Sequence, residues 1–381
     1  MFLLPILQRL SVDPLPFFAV VVVPTRELAT HIEEQFKFYG AGINLRTALC
    51  IGGTDALRQR LSMDSLPHVV VGTPGRMAEL FSDPHVSWQK FKKNTAFAIF
   101  DEFDRLVEPS LFVFVKQLVE KLPEKIQCIL STATYDQSLI PADTIESFTR
   151  GKAITTINQN KLLKSVSNLS HKYIFIPQIL KDYYFLHLIK SLWAETDPLT
   201  SSTIVFFNTC RECHFFHKIL NHLGIVCTQI HSFLNQKVRN ANLFAFQNSQ
   251  YSMLLCTDVI ARGMDVRTVK TIVNYSLPLS YESYIQRAGR AGRTGEPGEV
   301  YSLVDQYEVE LLKESEKRVG STFEEIKYKE DEVLLEMGKL DKLKAKLKVH
   351  FMAKGIDEKF SEMKKNKVAF QKSIKKKIQK N

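Results

Sequence analysis

Short runs of β-branched and aromatic residues recur along the chain, with amphipathic stretches between them. The clearest runs are Phe17–Val23, His68–Val71, Thr95–Phe100 and Gln127–Leu130, then Tyr173–Ile176, Thr203–Phe207, Met253–Cys256, Thr271–Val273 and Glu299–Val304. They are close to continuously apolar rather than alternating, which predicts strands buried on both faces. Between them, Glu27–Tyr39, Leu111–Lys121, Cys213–Leu223 and Lys237–Phe246 place apolar residues at helical spacing. Such alternation predicts parallel sheets with right-handed crossovers, and so an α/β fold.

A chain of 381 residues has room for two such domains. The polar segment Asn158–Ser170 has no clear apolar period and is read as a linker. The expected organisation is a first domain at 1–157, the linker at 158–170, a second domain at 171–306 and a charge-rich helical extension with a lysine tail at 307–381. No internal sequence repeat is evident. No stretch approaches the roughly 20 apolar residues needed to span a bilayer, so no membrane partner is expected. The apolar start Met1–Leu7 has no basic residue before it, contains Pro5 and runs into Gln8 and Arg9, so no secretory signal is expected. The six cysteines are scattered, which suits a reducing compartment better than a disulfide framework.

Net charge is +10, from 51 basic and 41 acidic residues, and much of it is local. Ser361–Asn381 holds eight lysines and one glutamate, a net +7, which leaves +3 for everything else. Such a tail reads equally as a solvated end or as a patch for nucleic acid or nuclear import.

The chemistry centres first on Asp101-Glu102-Phe103-Asp104, directly after the run Ala96–Phe100. Carboxylates at the carboxyl end of a buried parallel strand lie where α/β sheets bind ligands. The first can hold Mg²⁺ through water, and its neighbour can orient or deprotonate an attacking water. Alone, the tetrapeptide is more simply a set of helix caps. Its surroundings change that balance. Pro24-Thr25-Arg26-Glu27-Leu28-Ala29, Gly52-Gly53 and Thr73-Pro74-Gly75-Arg76 each follow a strand, with small or hydroxyl residues and arginines where helices begin and phosphates can be gripped. Thr132-Ala133-Thr134 follows another strand and can hydrogen-bond the acidic loop. In the second half stand Asn208-Thr209, Gln236 with Arg239, Thr257 through Asp265, and Gln286-Arg287-Ala288-Gly289-Arg290-Ala291-Gly292-Arg293. Arginines at i, i+3 and i+6, spaced by Gly and Ala, suit a phosphate chain.

In order and spacing, PTRELA, TPGR, DExD, TDVxARGxD and RxGRxxR resemble the DEAD-box family of superfamily 2 RNA helicases over about residues 1–305. Leu4–Leu10 and Phe206–Cys210 look most like the nucleolar members that act in small-ribosomal-subunit assembly. The resemblance implies two RecA-like parallel-sheet domains and local, ATP-driven opening of RNA or remodelling of RNA–protein complexes. It also implies pre-ribosomal particles and assembly factors as partners, a nuclear or nucleolar location and a monomeric state. Residue by residue, it implies that Asp101 holds Mg²⁺ on ATP and Glu102 activates the hydrolytic water. Asp104 and Arg287, with Thr132 and Thr134, would couple hydrolysis to domain contact. Asp265, with Gly263 beside it, would hold the ribose, and Arg290 and Arg293 would reach the γ-phosphate. Thr25, Arg26, Gly53, Thr73, Gly75, Arg76, Asn208, Gln236, Arg239 and Thr257 would line a backbone-reading RNA track of little sequence specificity.

The sequence departs from the family at three places. The upstream glutamine motif and a G-x-x-x-x-G-K-[ST] loop do not occur, and Met1–Leu7 looks like the helix that follows that loop. The expectation is an incomplete gene model or alternative product of a longer helicase; if whole as written, the chain should turn over ATP weakly or not at all. The alternative is a non-catalytic RNA-binding or scaffold protein. A DEAH-type processive helicase is suggested only by QRAGRAGR. Phe103 stands where the family has a small residue, so a ring must find space in a packed core. Gln286 replaces the commoner His. Finally, Cys210-Arg211-Glu212-Cys213-His214 with His217 imitates a haem or zinc pattern, but it opens a helix after a buried strand and is read as packing.

Overall fold

The computed structural model describes residues 2–82, 88–132, 144–145, 148, 153–157, 166, 169–194, 202–258, 269–292, 298–335, 337–362 and 365. Two compact units divide the chain between Ile157 and Asn158.

In the first unit, β1 (Ala19–Val22), β2 (Thr47–Cys50), β3 (Val69–Gly72), β4 (Phe97–Phe100) and β5 (Gln127–Leu130) form a parallel sheet in the order β2-β3-β1-β4-β5. The period of two along β1 is read out directly. Val20 and Val22 join an apolar cluster with Phe100, Met77 and Val115, while Ala19 and Val21 join another with Leu28, Ile32 and Phe36. Helices Leu3–Val12 and Arg26–Gly40 supply the latter face, and helices Pro74–Leu80 and Pro109–Lys121 the former. The register pairs Val22 with both Gly72 and Phe100, so three central strands end level. The residues after them therefore share one edge of the sheet.

The second unit carries β6 (Ser170–Phe175), β7 (Thr203–Phe206), β8 (Thr228–Ile230), β9 (Met253–Cys256), β10 (Thr271–Asn274), β11 (Glu299–Val304) and β12 (Glu324–Glu325). All pair in parallel, in the order β12-β6-β11-β10-β7-β9-β8. Ile204 and Phe206 face one apolar cluster with Phe246, Tyr284 and Val300, and Val205 faces the other with Phe185 and Phe216. Among the described residues no helix is long and apolar enough to cross a membrane.

Three strands lie outside the clearest apolar runs. β2 alternates half-buried and buried positions, β8 has three residues and β12 is two exposed glutamates. All are outer strands, where a neighbour supplies the backbone bonds and few apolar side chains are needed.

The segment read as a linker also carries structure at its end. Val166 and Leu169 are buried in the second unit's core, and Ser170 opens β6. The extension after Val304 carries helices Val309–Val319 and Met337–Ala353 with β12 between them, and it is docked on the second unit. Val333, Leu340, Leu347 and Phe351 join the same apolar cluster as Phe216, Tyr183 bonds Asp341 at 2.6 Å, and Arg211 pairs with Asp357 at 2.7 Å.

Candidate active site

The acidic loop begins where β4 ends, beside β1. The Asp101 N–H donates to the Val22 carbonyl at 3.1 Å, continuing the ladder one residue beyond the strand. Glu102 then turns into the left-handed region at φ 52°, and helix Phe103–Leu106 starts at once. A non-glycine residue there carries a conformational cost, met by bonds on either side. The Glu102 N–H donates to Asp101 Oδ1 at 3.0 Å, and the Phe103 N–H donates to the Ser131 carbonyl at 2.9 Å. The Ser131 side chain also hydrogen-bonds the Asp101 carboxylate. Burial raises the Asp101 carboxyl above its usual range, against the pull of the Ser131 and Glu102 hydrogen bonds. A desolvated carboxylate of this kind gains by meeting a cation. Arg105 lies 3.9 Å from Glu102 and 3.8 Å from Glu108.

Phe103 is buried at 2% exposure, and Phe148 makes room for it. The Phe148 ring stands edge-on to Phe103 at 5.0 Å and to Phe100 at 4.9 Å. The ring that sequence comparison marks as intrusive is thus part of an aromatic trio. Asp104 and Thr132 are described and half-buried. Thr134 lies outside the described residues, as do Gly263, Asp265 and Arg293.

The backbone-track candidates of the first unit gather at the same sheet edge. Thr25 caps helix Arg26–Gly40, its hydroxyl accepting from the Leu28 N–H at 3.3 Å. Arg26 extends over Gly52 and Gly53. A Cβ at Gly53, whose φ is +78°, would collide with Arg26 Nη1, and one at Gly52 would lie 3.0 Å from Nη2. The glycine pair therefore leaves the space the guanidinium fills. Gln59 fixes that turn, donating to the Ile51 carbonyl at 2.8 Å and accepting from its N–H at 3.2 Å. Thr73 precedes helix Pro74–Leu80, a Cβ at Gly75 would touch the Phe114 ring at 4.0 Å, and Arg76 pairs with Glu79 at 3.1 Å.

In the second unit the arginine helix Tyr281–Ala288 is organised by Arg287, whose side chain is wholly buried. It makes five hydrogen bonds: to Asp258 Oδ1 at 2.6 Å and Oδ2 at 3.1 Å, to Asn208 Oδ1 at 2.9 Å, to Asn274 Oδ1 at 3.2 Å and to the Ser276 carbonyl at 2.8 Å. Those partners follow or end three strands, so one guanidinium holds together the loops after β7, β9 and β10. Its part within the unit is positioning. Asn208 is exposed and also donates to the Leu277 carbonyl at 2.8 Å. Gln236 and Arg239 are buried and bond each other. Thr257 and Arg290 are also buried, at 8% and 6% exposure.

Ser131, Gln59, Phe148 and Asn274 escaped the sequence reading. Only Ser131 carried a signal, standing one residue before Thr132. The Cys210–His217 stretch forms the start of helix Cys210–His222. His214 meets Gln229 at 3.2 Å, and Cys213 is buried in the apolar core. Among the described residues, no group of three or more His, Cys, Asp or Glu side chains could hold a metal ion.

Residues 1–140 match the DEAD/DEAH box helicase domain, and residues 186–295 match the helicase conserved C-terminal domain. The chain is 34% identical over 94% of its length to a Mus musculus protein named probable ATP-dependent RNA helicase DDX49, of which it covers 73%. The chain belongs to the DEAD-box helicase family. Another family member, DEAD-box ATP-dependent RNA helicase 36 of Arabidopsis thaliana, is 32% identical over 96% of the chain and is covered for 73% of its own length. The ATP-dependent rRNA helicase rrp3 of Aspergillus fumigatus is 31% identical over 88% of the chain and covered for 68%. Among solved structures, the DEAD-box helicase Mss116 bound to ssRNA and UDP-BeF superposes with a TM-score of 0.74 at 25% identity, over 87% of this chain and 70% of that one. The two parallel α/β units are the family's fold.

Proposed function

We propose that this DEAD-box chain is an ATP- and Mg²⁺-dependent RNA helicase that opens short stretches of RNA or remodels RNA–protein complexes. The observation that carries this reading is the acidic loop. Asp101 is half-buried and braced by Ser131 at the carboxyl end of a central parallel strand, with Glu102 beside it held in the left-handed conformation. A partly desolvated carboxylate of this kind fits a divalent cation held through water, and Glu102 would be the base for the attacking water. ATP bound here would supply the phosphoryl chemistry. Glu102 would orient the water, and Arg290 keeps the γ-phosphate role that the family resemblance gives it. Asp265, Arg293, Thr134 and Gly263 keep the parts the family resemblance gives them.

Arg26 over the glycine turn, Thr25, Thr73, Gly75 and Arg76 serve the RNA backbone in the first unit, and Asn208, Gln236, Arg239 and Thr257 in the second. Contacts of this type read phosphates and 2′-hydroxyls, so the RNA is bound with little regard to sequence. The relative named as an rRNA helicase supports ribosomal RNA as substrate; assembly factors as partners, a nucleolar location and a monomeric enzyme rest on the family resemblance.

RNA-stimulated ATP turnover, measured on the full-length protein carrying the phosphate loop and on its Glu102→Gln variant, tests the proposal. Turnover lost in the variant with RNA binding retained is the expected result. Equal turnover in both proteins removes Glu102 from its role. RNA binding with no turnover in either favours the non-catalytic reading.

A further inference from the structure

The end of the segment that joins the two units is built into the arginine-bearing turn. Val166 is wholly buried, and its Cγ2 lies 3.9 Å from where a Cβ at Gly289 would stand. Leu169 Cδ2 would be 2.9 Å from a Cβ at Gly298, which would also meet the Gly292 N–H at 2.7 Å and the Ala291 Cβ at 3.0 Å. Arg290 stands between these contacts, its carbonyl accepting from the Val269 N–H at 3.4 Å.

One buried histidine connects the two sides. His171 Nε2 lies 2.8 Å from the Val166 carbonyl, and Nδ1 lies 2.7 Å from the Tyr284 hydroxyl. A carbonyl only accepts, so Nε2 carries the proton and donates, while Nδ1 accepts from Tyr284. Tyr284 belongs to helix Tyr281–Ala288, one turn before Arg287. Phe323 stacks on the His171 ring at 4.7 Å and leaves it little freedom to turn.

We propose that His171 is a positioning residue for Arg290, latching the end of the joining segment to the arginine helix and so fixing the turn that carries the guanidinium. The joining segment thereby has a defined anchor beside Arg290 within the second unit. The part concerning turnover rests on the helicase reading, and the latch itself does not.

His171→Phe tests it, keeping a ring against Phe323 and losing both hydrogen bonds. Amide hydrogen exchange at Gly289, Ala291 and Gly292 should rise about fivefold to tenfold, the worth of one or two hydrogen bonds, while amides of β7 and β10 keep their protection. RNA-stimulated kcat should fall by a similar factor with RNA affinity in the absence of nucleotide unchanged, and His171→Gln, which can donate again, should recover part of both. Unchanged exchange at the turn overturns the latch. Faster exchange throughout β7 and β10 overturns it as well, because the histidine would then only hold the core together. Local loosening with unchanged kcat overturns the positioning role. A full-length wild type without RNA-stimulated turnover sinks the helicase reading, while the exchange measurement still decides the latch.

Discussion

Arg287 grips Asp258 through two parallel hydrogen bonds, Nε to Oδ1 at 2.6 Å and Nη2 to Oδ2 at 3.1 Å. The guanidinium is fully buried, the carboxylate 46% exposed. Breaking a buried pair from one side costs about 3–5 kcal/mol, and the exposure of Asp258 places this pair toward the lower end. Arg287→Ala should destabilise the second unit by about 3 kcal/mol in urea denaturation. Arg287→Lys should recover little, because one ammonium cannot span Asp258, Asn208 and Asn274 together. A Lys variant as stable as wild type would show that charge alone suffices.

Phe103→Ala restores the small residue usual for the family, yet it should harm this protein. The Phe103 ring fills space against Phe148, which also packs on Phe100, and removing a buried Phe side chain costs about 3–5 kcal/mol when the site does not collapse. Phe148→Ala should cost a similar amount, with the double variant less damaging than the sum because the two share one void. Additive losses in thermal or urea unfolding would mean the rings do not support each other.

Gly53→Ala should weaken RNA binding with little loss of fold. The new methyl group collides with Arg26 Nη1, and the +78° φ is unfavourable for alanine by about 1 kcal/mol. On the proposed RNA track the displaced guanidinium would lose its charged hydrogen bonds to backbone phosphate, worth about tenfold in affinity. Fluorescence anisotropy with a short single strand measures it, and unchanged affinity would take Arg26 off the track.

The second unit should be acid-labile. Burial pushes His171 and His214 below the ordinary 6.5, His217 to about 4 and His231 to about 3. Positive neighbours add to this at His214, His217 and His231. These histidines are neutral when folded and take up protons on unfolding. Between 6.5 and their folded values the unfolded state binds more protons, so stability is full above 6.5 and falls as pH drops through it. Unfolding midpoints measured from pH 8 to pH 4.5 should decline below 6.5. A flat profile between pH 7 and pH 5 would refute the assignment.

The sequence by itself determined the α/β class, most central strands and the order of the motifs. Short continuous runs rich in β-branched and aromatic residues such as Phe17–Val23 and Thr95–Phe100 fit strands covered on both faces, and the helices between them favour parallel pairing. It also named the acidic loop, because a carboxylate pair directly after such a run is conspicuous in one dimension. Tertiary structure alone decided which residues hold those groups in place. Ser131 meets Asp101 because β5 lies beside β4, Phe148 reaches Phe103 from 45 positions later in the chain, and His171 meets Tyr284 across 113. Spacing along a chain predicts neighbours only within one element, whereas the supports of a site come from strands that pairing has brought side by side. For the same reason Arg287, an arginine among arginines in the sequence, becomes the clamp of three loops once β7, β9 and β10 are aligned.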